Sequence, residues 1–141
     1  MTQSQTHLFS PAAAWLGIEE ISAGAAEAVL DLPTRAEMGN RGGVVHGGFI
    51  ALLADTAMGR AMHAARPEAE RMFSFDLKLN FVASGSVGER LRASARVIHA
   101  GRRTGLAECR VEAGNGRLVA TATGTFMIYM PEPHAPDGPP S

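Results

Sequence analysis

One cysteine, Cys109, in 141 residues rules out a disulfide within the chain and suits a reducing, cytoplasmic compartment. It reads as a small strand hydrophobe. Neither sign of charge is in excess, since 13 lysines and arginines against 14 aspartates and glutamates leave a formal net charge of -1. That balance offers no electrostatic footprint for nucleic acid, and Arg41-Gly42-Gly43 is a single triplet rather than a repeat. Long apolar runs are also missing. The uncharged run that enters the central segment, Gly42 to Ala54, falls short of the roughly 20 apolar residues that a membrane helix needs. The first residues, Met1 to His7, lack the basic start and long apolar stretch of a secretory signal. A soluble cytoplasmic protein that binds neither nucleic acid nor membrane is expected.

Several catalytic patterns are absent as well. No Gly-x-Ser-x-Gly can be drawn through Ser84-Gly85-Ser86-Val87-Gly88, and its neighbours predict a hairpin rather than a strand-to-helix turn. There is no phosphate loop ending in Gly-Lys-Ser/Thr, and the pairs Gly42-Gly43 and Gly47-Gly48 do not fit Gly-x-Gly-x-x-Gly. The five histidines, His7, His46, His63, His99 and His134, are scattered, with no metal-ligand spacing. No metal is expected.

What the chain does have is a glycine-rich loop, Asn40 to Gly48, running into an apolar segment that ends near Arg66, where Pro67 disfavours helical geometry in the residue before it. Between Arg41 and Arg60 the one formal charge is Asp55. A carboxylate in a poorly solvated site costs several kcal/mol unless it is paired or neutralised, which makes Asp55 a functional candidate. The plainer alternative is a solvent-facing stripe on which Asp55 pairs with Arg60 or His63. Against it, the positions a turn away, Ala51, Leu52, Met58 and Gly59, are all small or apolar. Ala51 and Gly59 leave room beside the carboxylate, and Met58 and Met62 are expected to line an apolar slot. At the helix start Gly47 and Gly48 permit close approach to free N–H groups at the positive end of the dipole, a site for developing negative charge. His46 is expected to fix that loop.

The rest of the chain reads as strands. A short leading segment, Leu8 to Leu16, precedes a strand around Gly17 to Ile21, a turn at Ser22-Ala23-Gly24 and a strand alternating from Glu27 to Leu32. After the helix Phe73, Phe75, Leu77, Leu79 and Phe81 alternate with polar residues, and further strands cover Glu89 to Ala100, Leu106 to Ala113 and Arg117 to Tyr129. Gly114-Asn115-Gly116 is a hairpin signal. The tail, Pro131 to Ser141, is proline-rich and expected to be mobile. One domain with a core of about 15–130 is expected, and the short turns make the sheet largely antiparallel.

Asn40, the triplet His46-Gly47-Gly48 and the acid in Leu53-Ala54-Asp55 together resemble the signature of hotdog-fold acyl-CoA thioesterases of the phenylacetate-degradation group. The resemblance extends from about Trp15 to Tyr129. It implies an α+β hotdog fold, a long central helix wrapped by a curved, largely antiparallel sheet. It also implies hydrolysis of an aryl- or medium-chain acyl-CoA, with coenzyme A part of the substrate and no cofactor. Asp55 would be nucleophile or general base and the Gly47 N–H would polarise the carbonyl. His46 and Asn40 would shape the loop, and Ser74 would position water. Gly48, Met58, Gly59, Met62, Phe73 and Phe75 would surround the acyl group, while Arg102, Arg103 and Thr104 would meet the phosphates, for which arginine's fork is suited. The chain would form a homodimer, pairing into a tetramer, with Asp55 of one chain facing the His46-Gly47 loop of the other. A noncatalytic acyl-CoA-binding module is the alternative, since a fold alone confers no activity. A hotdog hydratase or dehydratase ranks behind both. A binder has no need of the carboxylate at Asp55, which favours the enzyme.

Overall fold

The computed structural model describes residues 10–131. Most of the proline-rich tail and the start of the leading segment therefore lie outside the described residues. Ser10 caps the first helix, α1 (Pro11–Leu16), by accepting from the Ala13 N–H at 3.2 Å, and Gly17 ends it in the left-handed conformation at φ 83°. Strands β1 (Glu19–Gly24) and β2 (Glu27–Pro33) follow as a hairpin. The turn is not the expected Ser22-Ala23-Gly24. Gly24 stays in the strand, and Ala25 and Ala26 make the reversal at φ 52° and 63°. Left-handed alanine costs roughly 1–2 kcal/mol per residue, so composition gave no sign of this turn.

After a 3-10 turn at Ala36–Met38 comes the long helix α2 (Gly47–Ala65), capped by His46 and ended at Arg66 ahead of Pro67. Four strands complete the chain: β3 (Arg71–Phe81), β4 (Arg90–Ala100), β5 (Thr104–Ala113) and β6 (Leu118–Tyr129). They join the first two in one six-stranded sheet of order β1-β2-β4-β5-β6-β3, with every pairing antiparallel. Helix α2 touches all six strands, so the sheet curves around it.

Small side chains on the inner face allow that wrapping. Ala28, Ala93, Ala95, Ala107 and Ala122 meet a helix face made by Ile50, Leu53, Ala54, Ala57, Met58, Ala61 and Met62, all buried. Where the sheet has Gly124 and Gly105, methionines fill the space: a Cβ at Gly124 would lie 3.1 Å from Met58 Cε, and one at Gly105 only 2.5 Å from Met62 Cε. Cys109 faces the same interior, and burial pushes its thiol up to about 12.

Strand β3 is different. Its sequence alternates as expected, yet neither face is covered: Phe73, Phe75 and Phe81 are 54%, 57% and 59% exposed, and Met72 and Leu79 are only half-buried. It is also the edge of the sheet, with a row of unpaired backbone groups. No helix among the described residues is long and apolar enough to cross a membrane.

Candidate active site

The loop before α2 is held by its own backbone and by Asn40. Asn40 Oδ1 accepts from the N–H groups of Gly42 at 2.8 Å and Val44 at 3.3 Å, and Gly43 takes the positive φ of 77° that the turn requires. The His46 N–H is tied to the Met38 carbonyl at 2.8 Å, and its Nδ1 accepts from the Gly48 N–H at 3.0 Å. That bond leaves the ring proton on Nε2. The Gly47 N–H finds no acceptor among the described residues, as expected of a first helical residue. A Cβ at Gly47 would lie 2.8 Å from Cζ of the exposed Phe81, so a larger residue there would have to displace that ring. Gly47 opens on a cavity of about 460 Å³ shared with Phe81 and Val82.

Asp55 lies two turns further along α2 and borders a cavity of about 290 Å³. Its Oδ1 is buried without a hydrogen-bond partner among the described residues. Burial pushes the carboxyl above the usual carboxylate range, and the nearby Ser74 hydroxyl opposes that shift. The neighbouring charge does not neutralise it, because Arg60 Nε is committed to Glu20 Oε1 at 2.5 Å. The Thr56 hydroxyl donates to the Leu52 carbonyl at 2.7 Å. Burial, and then the charge of Arg60, hold His63 below the usual histidine value. Ser10 completes the polar part of the lining, and Gly59, Met72, Phe73 and Phe126 form the apolar part.

The structure thus brings Asp55 together with Ser74, Gly59 and Phe73. Asn40, His46, Gly47 and Gly48 gather at the helix start, about 12 Å along the axis from Asp55 at 1.5 Å per residue. Within one chain the two groups do not meet. Met58 and Met62 were expected in the slot beside Asp55, but both are fully buried, packed against Gly124 of β6 and Gly105 of β5, and neither lines the cavity. Phe75 sits at the bulge between Ser74 and Asp76, exposed and outside the cavity. Arg102 and Arg103 occupy the β4–β5 turn and border a separate cavity of about 470 Å³ with Met127, Tyr129 and Pro131. Thr104, exposed, opens β5 beside them.

Thr56, Arg60, His63, Met72 and Phe126 line the Asp55 cavity without having been singled out in the sequence. The helical members carried a signal, since Asp55, Thr56, Gly59, Arg60 and His63 recur at helical spacing as one polar stripe. Another cleft of about 470 Å³ crosses the outer sheet face, but its arginines are matched: Arg96 donates to Glu108, and Arg110 to Glu112. The acid with an unpartnered oxygen singles out the smaller cavity as the candidate site.

A carboxylate with one unpartnered oxygen beside a cavity, and an N–H at a helix start with no acceptor among the described residues, are groups of the kinds that acyl transfer uses. The chain belongs to the thioesterase superfamily, a class of hydrolases, whose family profile matches residues 42–120. Its fold is the hotdog fold. It is similar to PA0474 of Pseudomonas aeruginosa, with 39% identity over 89 residues, 63% of this chain and 66% of that one, just under two thirds. It is also similar to the acyl-coenzyme A thioesterase PaaI of Escherichia coli, 30% identical over 109 residues that cover 77% of this chain and 76% of PaaI. Among solved structures, PA5202 of Pseudomonas aeruginosa superposes with a TM-score of 0.82 at 33% identity, covering 89% of this chain and 98% of that one.

Proposed function

We propose that the protein hydrolyses aryl- or medium-chain acyl-CoA thioesters to the free acid and coenzyme A, with Asp55 as the reacting carboxylate. One observation carries this: Asp55 Oδ1 is buried without a partner at the edge of a cavity. Such an arrangement costs stability and has a ready explanation only if a substrate or water completes it. The similarity to the Escherichia coli acyl-coenzyme A thioesterase supports the thioester as substrate. Two balanced routes are open to the acid. As nucleophile it adds to the carbonyl carbon and expels the coenzyme A thiolate, and water then cleaves the mixed anhydride. As general base it takes a proton from water, hydroxide adds to the carbonyl, and the departing thiolate receives the proton. In either route the Gly47 N–H stabilises the oxyanion, His46 and Asn40 hold its loop, and Ser74 orients the acid or the water. Neither route calls for a cofactor.

The 12 Å or so between Asp55 and Gly47 within one chain supports a site built from two. A second copy pairing along the uncovered β3 edge would bury Phe73, Phe75 and Phe81 and bring the Asp55 of one chain to the His46-Gly47 loop of the other. Two such dimers form a tetramer. Arg102 and Arg103, with Thr104, receive the phosphates of coenzyme A, and the buried lone cysteine suits the cytoplasm. The test is a panel of aryl- and straight-chain acyl-CoA substrates scored by kcat/KM for wild type and Asp55→Asn. Hydrolysis that survives undiminished in the variant removes Asp55 from the chemistry, and binding without turnover in wild type points to a noncatalytic module. Oxygen-18 labelling in a single turnover separates the anhydride from direct attack.

A further inference from the structure

Glu20 puts a charge on the inner face of the sheet, which elsewhere presents Leu30, Ala93 and Ala107 to the helix. It stands opposite the fully buried Leu30 in the β1–β2 register and so shares that side chain's face. The register slips between Glu20 and Ser22, an irregularity of the kind that re-aims a side chain. Glu20 Oε1 meets Arg60 Nε at 2.5 Å, and the two side chains are only 18% and 21% exposed. Desolvation offsets most of the attraction in a pair so far withdrawn from water, and an apolar pair would serve the fold as well.

What sets this pair apart is where Arg60 would otherwise go. It borders the Asp55 cavity, five residues and about 7.5 Å along the helix axis from the acid, and Gly59 places no side chain in the way. The other polar groups lining that cavity are the Ser74 hydroxyl from β3, Ser10 ahead of α1, and Thr56 and His63 on α2, while β6 contributes Phe126. His63, held below the usual histidine value by burial and by Arg60, is uncharged at neutral pH. Arg60 is thus the one cation bordering the cavity among the described residues, and Asp55 Oδ1 is an acceptor without a partner. We infer that Glu20 is a positioning residue, which holds the Arg60 guanidinium against β1 and so keeps Asp55 unpaired and available to react. The inference rests on the reading of Asp55 as the reacting acid and deepens it. Glu20 does not line the cavity and acts wholly through Arg60. A carboxylate taken by Arg60 would be a weaker base and a weaker nucleophile, because the arginine stabilises its charge.

Two variants test this. Glu20→Leu releases Arg60, whereas Glu20→Leu with Arg60→Met replaces the whole pair by an apolar contact. In the single variant a crystal structure should show the Arg60 guanidinium on the Asp55 carboxylate. The Asp55 carboxyl carbon-13 signal, assigned by its loss in Asp55→Asn, should titrate about 1 pH unit or more below its wild-type position. For acyl-CoA hydrolysis kcat/KM should fall about tenfold, with the acid limb of its pH profile moved down alongside the titration. The double variant should return the titration to its wild-type position and recover most of the lost rate. Should leucine unfold the chain, Glu20→Gln keeps the side-chain volume, removes the charge and takes its place. Arg60 remaining against β1, an Asp55 titration unmoved in the single variant, or one that stays low in the double variant each overturns the inference. The titration needs no turnover. If no thioester is hydrolysed yet releasing Arg60 lowers the Asp55 titration, the proposed reaction fails and the restraint on Arg60 stands. If the titration does not move, the restraint fails whatever the reaction.

Discussion

Asp31 on β2 and Asp55 on α2 are both withdrawn from water, yet Asp31 is gripped from two sides while one oxygen of Asp55 touches no donor. Arg92 reaches Asp31 through Nε at 2.7 Å and a second nitrogen at 3.0 Å, Arg90 Nε adds another bond at 2.7 Å, and Arg90 also pairs with Glu19. Burial alone would raise the Asp31 carboxyl, but Arg92 and Arg90 outweigh it and hold the group below the usual carboxylate range. At Asp55 burial meets only the Ser74 hydroxyl, and the shift goes upward. Asp31 is fully buried and Asp55 half-buried, yet the better-buried acid is the one whose partners hold it ionised. One is satisfied within the fold, and the other keeps one oxygen without a partner among the described residues.

Removing each acid should therefore have opposite consequences. Asp55→Asn should lower kcat by about 10³-fold or more while the unfolding free energy stays level or rises, because the ionised acid is a cost to the fold. Single-turnover kinetics and denaturant melts on one preparation check both halves. A destabilised Asp55→Asn protein would mean that the acid holds the structure together. Asp31→Ala should do the reverse, losing about 1–3 kcal/mol of stability while kcat stays near wild type. If its activity fell and its stability did not, the clamp would belong to the site.

The pH dependence sharpens the same contrast. The raised Asp55 carboxyl must be ionised to act, so kcat/KM should fall with decreasing pH through a value above 3.8. Its effect on stability has the same origin: the ionised form is disfavoured in the fold, and the penalty disappears as pH falls through that raised value. Asp31 runs the other way, contributing stability above 3.8 that is lost as pH falls through its depressed folded value. Melting temperatures from neutral to acid pH should thus first hold or climb, then drop. The climb should be missing in Asp55→Asn and the final drop diminished in Asp31→Ala.

A smaller effect separates clamped from unclamped arginines. Arg90 and Arg92 are committed to Asp31, whereas Arg102 and Arg103 make no ion pair among the described residues. Arg102→Ala with Arg103→Ala should raise KM several-fold for acyl-CoA, leave it unchanged for an acyl thioester without the nucleotide, and not alter the melt. Equal KM changes for both substrates would make these arginines ordinary turn residues.

Asp55 was legible in the sequence because a lone charge interrupts an apolar run. Asp31 was not. It alternates with Leu30 and Leu32 on the polar side of β2, and only the stems of Arg90 and Arg92 from another strand take it out of water. The six strands along the chain, the long helix and the antiparallel sense of the sheet followed from period and turn residues, whereas the order in which the strands pair did not. The facing of Met58 and Met62 did not, because a helix rich in alanine and methionine hides which stripe meets the sheet until the polar residues Thr56, Arg60 and His63 are read as the other face. Met72 and Phe126 joined the cavity through β3–β6 pairing, which no local pattern encodes.

The shared site is tested most directly by mixing chains. Differently tagged Asp55→Asn and Gly47→Val proteins, each inactive alone, are refolded together and the doubly tagged dimers isolated. One of the two sites in each mixed dimer then unites an intact acid with an intact helix start, and roughly half of the wild-type activity per dimer should return. Mixed dimers that form yet remain inactive would contradict a site in which Asp55 of one chain works with Gly47 of the other.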